Sequence, residues 1–112
     1  MRLRYTIDAV AHISAIHDYI LERDPLAAVR VVRRIRAAAE RLREFPHIGH
    51  IGLVSGTMEW TVRGLPYVIV HEVDPDRKEV LILGVYHGAQ DRADSAASAK
   101  KQRPNLDFAN RL

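Results

Sequence analysis

The 112-residue chain has no cysteine. Disulfide staples and thiolate metal sites are therefore excluded, and a reducing compartment fits. Nor is there a run of 18 uninterrupted apolar residues, or, in the opening MRLRYTIDAV, the continuous apolar core of a secretory signal. The expectation is a soluble, cytoplasmic protein without a membrane partner. A glycine-rich phosphate loop and a Gly-x-Ser-x-Gly motif are both missing. The four serines are scattered over the first helix, a loop and the tail, so a nucleophilic triad has no support. Lysine is scarce as well, with only Lys78, Lys100 and Lys101.

What is present suits one compact domain. Hydrophobic residues make up 47% of the chain, enough for a core without staples. The net charge is +3, and its location says more than its size. Between Arg30 and Glu44 stand six arginines against Glu40 and Glu44, a local surplus of +4 that leaves −1 for everything else. Arginine's planar fork favours phosphate or carboxylate, so this segment is a candidate contact for a nucleic acid or an acidic partner.

Periodicity orders the elements. Residues 2–5 alternate polar and apolar, as a short strand does. Thr6 can cap a helix with Asp8 in its first turn and Val10, Ile13, Ile16 and Ile20 on one face. Asp24-Pro25 starts a second helix, whose Ala28, Val31, Val32, Ile35, Ala38, Ala39 and Leu42 step by three and four with the arginines opposite. So short a link makes an antiparallel helical hairpin. Pro46 to Gly56 is glycine-rich and predicted to be a loop. Three strands follow, at 58–63, 67–73 and 79–86, separated by Gly-Leu-Pro and Asp-Pro-Asp turns. The expected fold is α+β: a two-layer β-α-α-β-β-β arrangement, an antiparallel sheet packed on an N-terminal helical hairpin. One domain spans 1–92. A tail, 93–112, is either weakly helical near 94–102 or disordered.

The last two strands are apolar on both faces, and a helical hairpin covers only one. The other must be closed by loop 46–56, the tail, a twin subunit or a different chain, and bare apolar surface of that kind marks an interaction site. Among the six histidines, His12 and His17 are expected at the surface and His71 as a satisfied core residue. His47 and His50 could chelate, but no third ligand is in view, so neither a metal nor another cofactor is expected. His87 closes the final strand beside Tyr86, Gly88, Asp91 and Arg92. Gly88 and Asp91 suit a structural turn, His87 and Arg92 a function. Metal-free RNA cleavage needs a base, a cation for the phosphate and an acid, posts that Glu59, Arg63 and His87 could fill. Arg30, Arg33, Arg34, Tyr67, Tyr86 and Arg92 are the candidates for contact with a partner or target.

Three segments in order, HDYILERDPLAAVRVVRRIRAAAERLREFPHIG, RGLPYVIVHEV and ILGVYHGAQDR, resemble the RelE/ParE superfamily of bacterial toxins over residues 1 to about 92. The resemblance implies the toxin of a type II toxin–antitoxin pair, a module of growth inhibition and plasmid stabilisation, neutralised by a cognate antitoxin. ParE-like members inhibit DNA gyrase and are not known for a catalytic site of their own. RelE-like members are mRNA interferases that cut messenger RNA on the ribosome. The lysine-based site of the RelE-like group has no counterpart here. A variant nuclease pattern could be matched by Glu59, Arg63 and Tyr86-His87, although Tyr precedes His, and Arg92 stands where an aromatic is common. The ParE-like alternative is the leading expectation, with the interferase and a non-toxic protein- or nucleic-acid-binding module behind it; a homodimer is also open.

Overall fold

The computed structural model describes residues 1–90 and 92–101. Strand β1 (Arg2–Tyr5) runs into helix α1 (Ile7–Leu21) through Thr6, whose hydroxyl oxygen accepts from the Ala9 amide at 3.1 Å. Helix α2 (Pro25–Arg41) opens as expected: Asp24 accepts from the Ala27 amide at 3.1 Å, and proline at the first position loses no intrahelical bond. Its buried Val32, Ile35 and Ala39 join Ala9 and Ile13 of α1 in the core against the sheet, and Ala28 is buried as well. The strands that follow are β2 (His50–Ile51), β3 (Met58–Thr61), β4 (Tyr67–Asp74) and β5 (Glu79–His87), with α3 (Ala93–Ala99) at the end.

The α+β class and the hairpin layer are as the sequence predicts, with three differences. The sheet has five strands in the order β1-β5-β4-β3-β2, because the 46–56 loop contributes the two-residue edge strand β2. It is mixed rather than purely antiparallel, since β1 pairs with β5 in parallel from Arg2↔Glu79 to Tyr5↔Ile82. Buried Glu79 anchors that register by pairing with Arg2 and lying 3.9 Å from Arg4. Most consequentially, the second face of the sheet is closed by the chain itself. Val70, Leu81, Leu83 and Tyr86 form a second core with Ala96 and Ala99 of α3, and Val54 of the 52–57 loop packs against it. Of the covers the sequence left open, the tail and the loop supply it: a short helix and Val54 seal the face, so the two-sided strands do not call here for a second polypeptide.

A bulge in β5 sets up this arrangement. The register passes from Val70↔Gly84 to His71↔Ile82, leaving Leu83 as an extra residue. Strict alternation breaks there, so Val85 points to the hairpin core and Tyr86 to the second. Glycine at 84 is a matter of room, as a Cβ would come within 2.5–2.7 Å of the Tyr86 ring. Beyond the end of β1, α1 takes over the free edge of β5. The Thr6 hydroxyl donates to the Leu83 carbonyl at 3.0 Å, and the Val85 amide donates to His12 Nδ1 at 3.2 Å.

Candidate functional site

The VYHGAQDR segment organises the end of the sheet away from β1. His87 ends β5, and the chain turns at once: the Gly88 amide donates to the Pro66 carbonyl at 2.8 Å, and the Gln90 amide to the His87 carbonyl at 2.9 Å. Arg92 then folds back across the turn. Its Nη1 donates to the carbonyls of Gly88 (3.4 Å) and Gln90 (3.2 Å), while Nε and Nη2 form a fork on Glu59 at 3.2 and 2.5 Å. A bidentate, charge-assisted pair of this kind is among the stronger polar contacts available to a protein. Asp91, the other half of the sequence couple, lies outside the described residues.

Glu59 is sealed in this pair. Its side chain is 3% exposed, and its oxygens also meet His50 Nε2 at 3.3 Å and the Leu53 amide at 3.4 Å. Burial by itself would raise the carboxyl's pKa. The Arg92 hydrogen bonds and charge, the Leu53 amide and His50 together outweigh it and hold the group below the usual carboxylate range. Gly49, in the left-handed region at φ +99°, passes so close to the Glu59 backbone carbonyl that a side chain would collide with it. Glu59 is therefore ionised, but its lone pairs are already committed.

The three candidate catalytic residues are not gathered on one surface. Trp60 pairs with Ile69 on the hairpin side, so Glu59, paired with Val70, lies on the α3 side. His87 stands opposite Tyr67, which packs against the hairpin core, and the two rings meet edge-on at 6.2 Å. Glu59 and His87 thus sit on opposite faces. His87 is exposed, its Nδ1 accepting from the Ala89 amide at 3.2 Å. Arg63 is exposed in the β3–β4 turn, and its carbonyl accepts a hydrogen bond from Arg34.

The candidate contact residues divide the same way. Arg34 is spent on clamping that turn, over Gly64 at φ +77°. Tyr86 is 1% exposed, its hydroxyl 2.9 Å from Ser95 Oγ and its ring 4.7 Å from that of His12, so it is a core residue beneath α3 rather than a surface one. Arg92 is likewise turned inward. Tyr67 is half-buried, and burial pushes its phenol up. Arg30 and Arg33 remain exposed on α2.

His12 was expected at the surface and is instead half-buried. It accepts a backbone hydrogen bond, and burial holds its imidazole below the ordinary histidine value despite nearby Asp8. Nothing local signals this, because the amide it satisfies lies 73 residues away, on the edge of β5 left free beyond the end of β1. His71 is the buried histidine the sequence suggests, with Nε2 3.1 Å from the Pro46 carbonyl. Among the described residues no group of three His, Cys, Asp or Glu is placed to hold a metal ion, and no helix is long and apolar enough to cross a membrane.

Known proteins share this arrangement. The family model described as the ParE toxin of the type II toxin–antitoxin system, parDE, matches residues 3–92. A Sinorhizobium fredii protein named "Putative toxin Y4kP" is 38% identical over 89 residues, 80% of this chain and 90% of its own. "Toxin RelE2" of Caulobacter vibrioides is 41% identical over 69 residues, 62% of this chain and 76% of its own. A solved structure titled "Chromosomal ParDE TA system from P. aeruginosa" superimposes with a TM-score of 0.65 at 25% identity, covering 78% of this chain and 95% of that one. The helical hairpin, the sheet it packs on and the His-Gly turn that ends β5 all fall inside the matched span, and the chain belongs to the ParE toxin family of type II toxin–antitoxin systems.

Proposed function

We propose that this protein inhibits growth by binding DNA gyrase in the cytoplasm, without a catalytic site of its own, and is silenced by its antitoxin. Membership of a toxin–antitoxin family implies that antitoxin as a partner. The observation that supports a binding mode of action is the dispersal of the acid–base set. Glu59 is buried in a fork with Arg92 on one face of the sheet, and His87 lies on the other. Transesterification at an RNA phosphate needs base, acid and cation within hydrogen-bond reach of one reacting group, and these side chains do not share a surface.

Messenger cleavage is the second reading, and the 41% identity to a protein named RelE2 is what favours it. Inducible expression in bacteria separates the two when cell morphology, DNA-damage induction and message integrity are followed together. Filamentation with intact messages, and inhibition of supercoiling by purified gyrase, are the expected results; His87→Ala should keep both. Rapid loss of translated messages, abolished by His87→Ala or Arg63→Ala in a folded protein, would overturn the gyrase reading. Unimpaired growth would point to a plain binding module.

A further inference from the structure

Helix α1 outruns the sheet it packs on. His12 lies at the edge of β5, accepting from the Val85 amide at 3.2 Å with its ring 4.7 Å from that of Tyr86. Tyr19 follows seven residues later on the same face of the helix, about 10 Å further along its axis. From Val85, β5 runs on by only two residues to His87. Tyr19 therefore overhangs the end of the sheet, where Tyr67 stands opposite His87. The two phenols are neighbours: burial first, and then the Tyr19 phenol, raise the pKa of Tyr67.

The corner so formed holds uncommitted donors. Tyr19 is 61% exposed and Tyr67 half-buried, and neither hydroxyl makes a hydrogen bond with any described residue. A phenol drawn partly out of water ordinarily spends its hydroxyl on a partner. That of Tyr67, held above the usual tyrosine value, stays protonated and is a donor at neutral pH. Arg23 completes the set. Its guanidinium lies 3.9 Å over the Tyr19 ring, its Nη1 donates to the Tyr19 carbonyl at 2.7 Å, and it reaches the exposed Glu22 only at 4.0 Å. Ring and cation are thus fixed together by the monomer's own contacts. Asp18, the other acid beside Tyr19 in sequence, is turned to His17 at 3.3 Å.

We propose that Tyr19, Arg23 and Tyr67 form the anchor site by which the protein grips its target, receiving a carboxylate side chain from the surface of the gyrase protein. Two phenol O–H groups and a guanidinium offer donors to one acceptor, and the rings around it supply apolar area. Tyrosine and arginine are the residue types that carry most protein–protein binding energy, and the stacked Tyr19–Arg23 pair has little ordering left to lose. A nucleic-acid strand needs a track of cations for successive phosphates, whereas the groups converging here are two neutral hydroxyls and one guanidinium. The chemistry therefore selects an acidic protein segment. The inference rests on the gyrase reading, and adds to it where the target is held and by which groups.

The test uses the full chain and purified gyrase, with affinity measured by calorimetry in the absence of DNA and inhibition by supercoiling. Arg23→Glu should weaken gyrase binding about 100-fold through like-charge opposition. Tyr19→Ala should cost about 30-fold through loss of the anchoring ring, and Tyr67→Phe about tenfold for one hydroxyl facing a charged acceptor. Arg77→Glu, in the distant β4–β5 turn, should cost less than about twofold. Inhibition of supercoiling should fall in the same order. Tyr67→Phe keeps the ring that packs on the hairpin core, so its unfolding midpoint should match the parent's and its weaker binding is not a folding defect. Wild-type affinity in Tyr67→Phe and Arg23→Glu alike would overturn the anchor site while leaving the gyrase reading intact. Weakened binding to DNA alone, with gyrase affinity unchanged, would overturn it in favour of a nucleic-acid surface. A wild-type chain that neither binds nor inhibits gyrase would overturn the gyrase reading and the anchor site with it.

Discussion

The two faces of the sheet are closed by different physics. On the hairpin side, two long helices lay Ala9, Ile13, Val32, Ile35, Ala39 and Leu42 against Leu3, Ile69, Val80, Ile82 and Val85. This is broad dispersion and hydrophobic burial with little polar content. On the other side a seven-residue helix brings only Ala96 and Ala99. An isolated helix that short has no stability of its own in water, so polar contacts along its length must hold it: Arg92 to Glu59, Ser95 to Tyr86, and Lys100 to Glu72 and the Ser55 carbonyl. One layer is glued by area, the other buttoned down at discrete points.

The contrast predicts where damage spreads. Ile35, fully buried at the centre of the hairpin layer, should give the largest effect. Ile35→Ala is expected to cost roughly 2–5 kcal/mol through lost burial and the cavity left behind, seen as a lower urea midpoint for every probe at once. Arg92→Ala comes next, at about 2 kcal/mol, because it strands a buried carboxylate. Its signature should be local: faster amide exchange in 93–100, with α1 and α2 still protected. Equal exposure of the hairpin would show the two layers to be one cooperative unit.

Acid sharpens the same comparison, in two stages. His12 has a folded-state pKa below its reference value of 6.5, so the unfolded chain binds the proton more readily and stability falls as pH drops below about 6.5. Buried His71 has the same sign. Glu59 is also held below its reference value of 4.5; its contribution is complete above that pH and disappears as pH falls through the lowered folded value. Unfolding midpoints between pH 7 and 3 should therefore decline in both windows. His12→Gln should shallow the first and Glu59→Gln the second. A curve unchanged by His12→Gln would mean that burial of His12 does not disfavour its protonation in the folded chain.

How much of this was legible in the sequence follows the same division. The hairpin layer announces itself because helical periodicity is a local signal: Asp24-Pro25 starts α2, and steps of three and four name its buried residues. The far layer rests on long-range facts. The Arg92 fork closes on a residue 33 positions back, and the bulge that turns Tyr86 under α3 breaks the alternation from which its face would be read. Two-sided apolar strands showed that the second face needed a cover, but not which of the candidate segments supplies it. Among the site residues, the turn role of Gly88 could be read from the chain. The inward aim of Arg92 and Tyr86 could not, because it depends on where β3 and α3 lie.

Tyr86→Phe is the finest probe of the buttoned side. It removes one hydroxyl and keeps the ring that packs on His12, Leu81 and Leu83, so the apolar core is untouched. Losing the 2.9 Å bond to Ser95 should cost about 1 kcal/mol. If α3 is held by separate points, that loss should appear as about fivefold faster exchange in 93–100, and combining it with Arg92→Ala should give close to the sum of the two. A double variant no less stable than Arg92→Ala alone would mean that α3 has already left the sheet once the fork is cut, making Arg92 the single fastening of that layer.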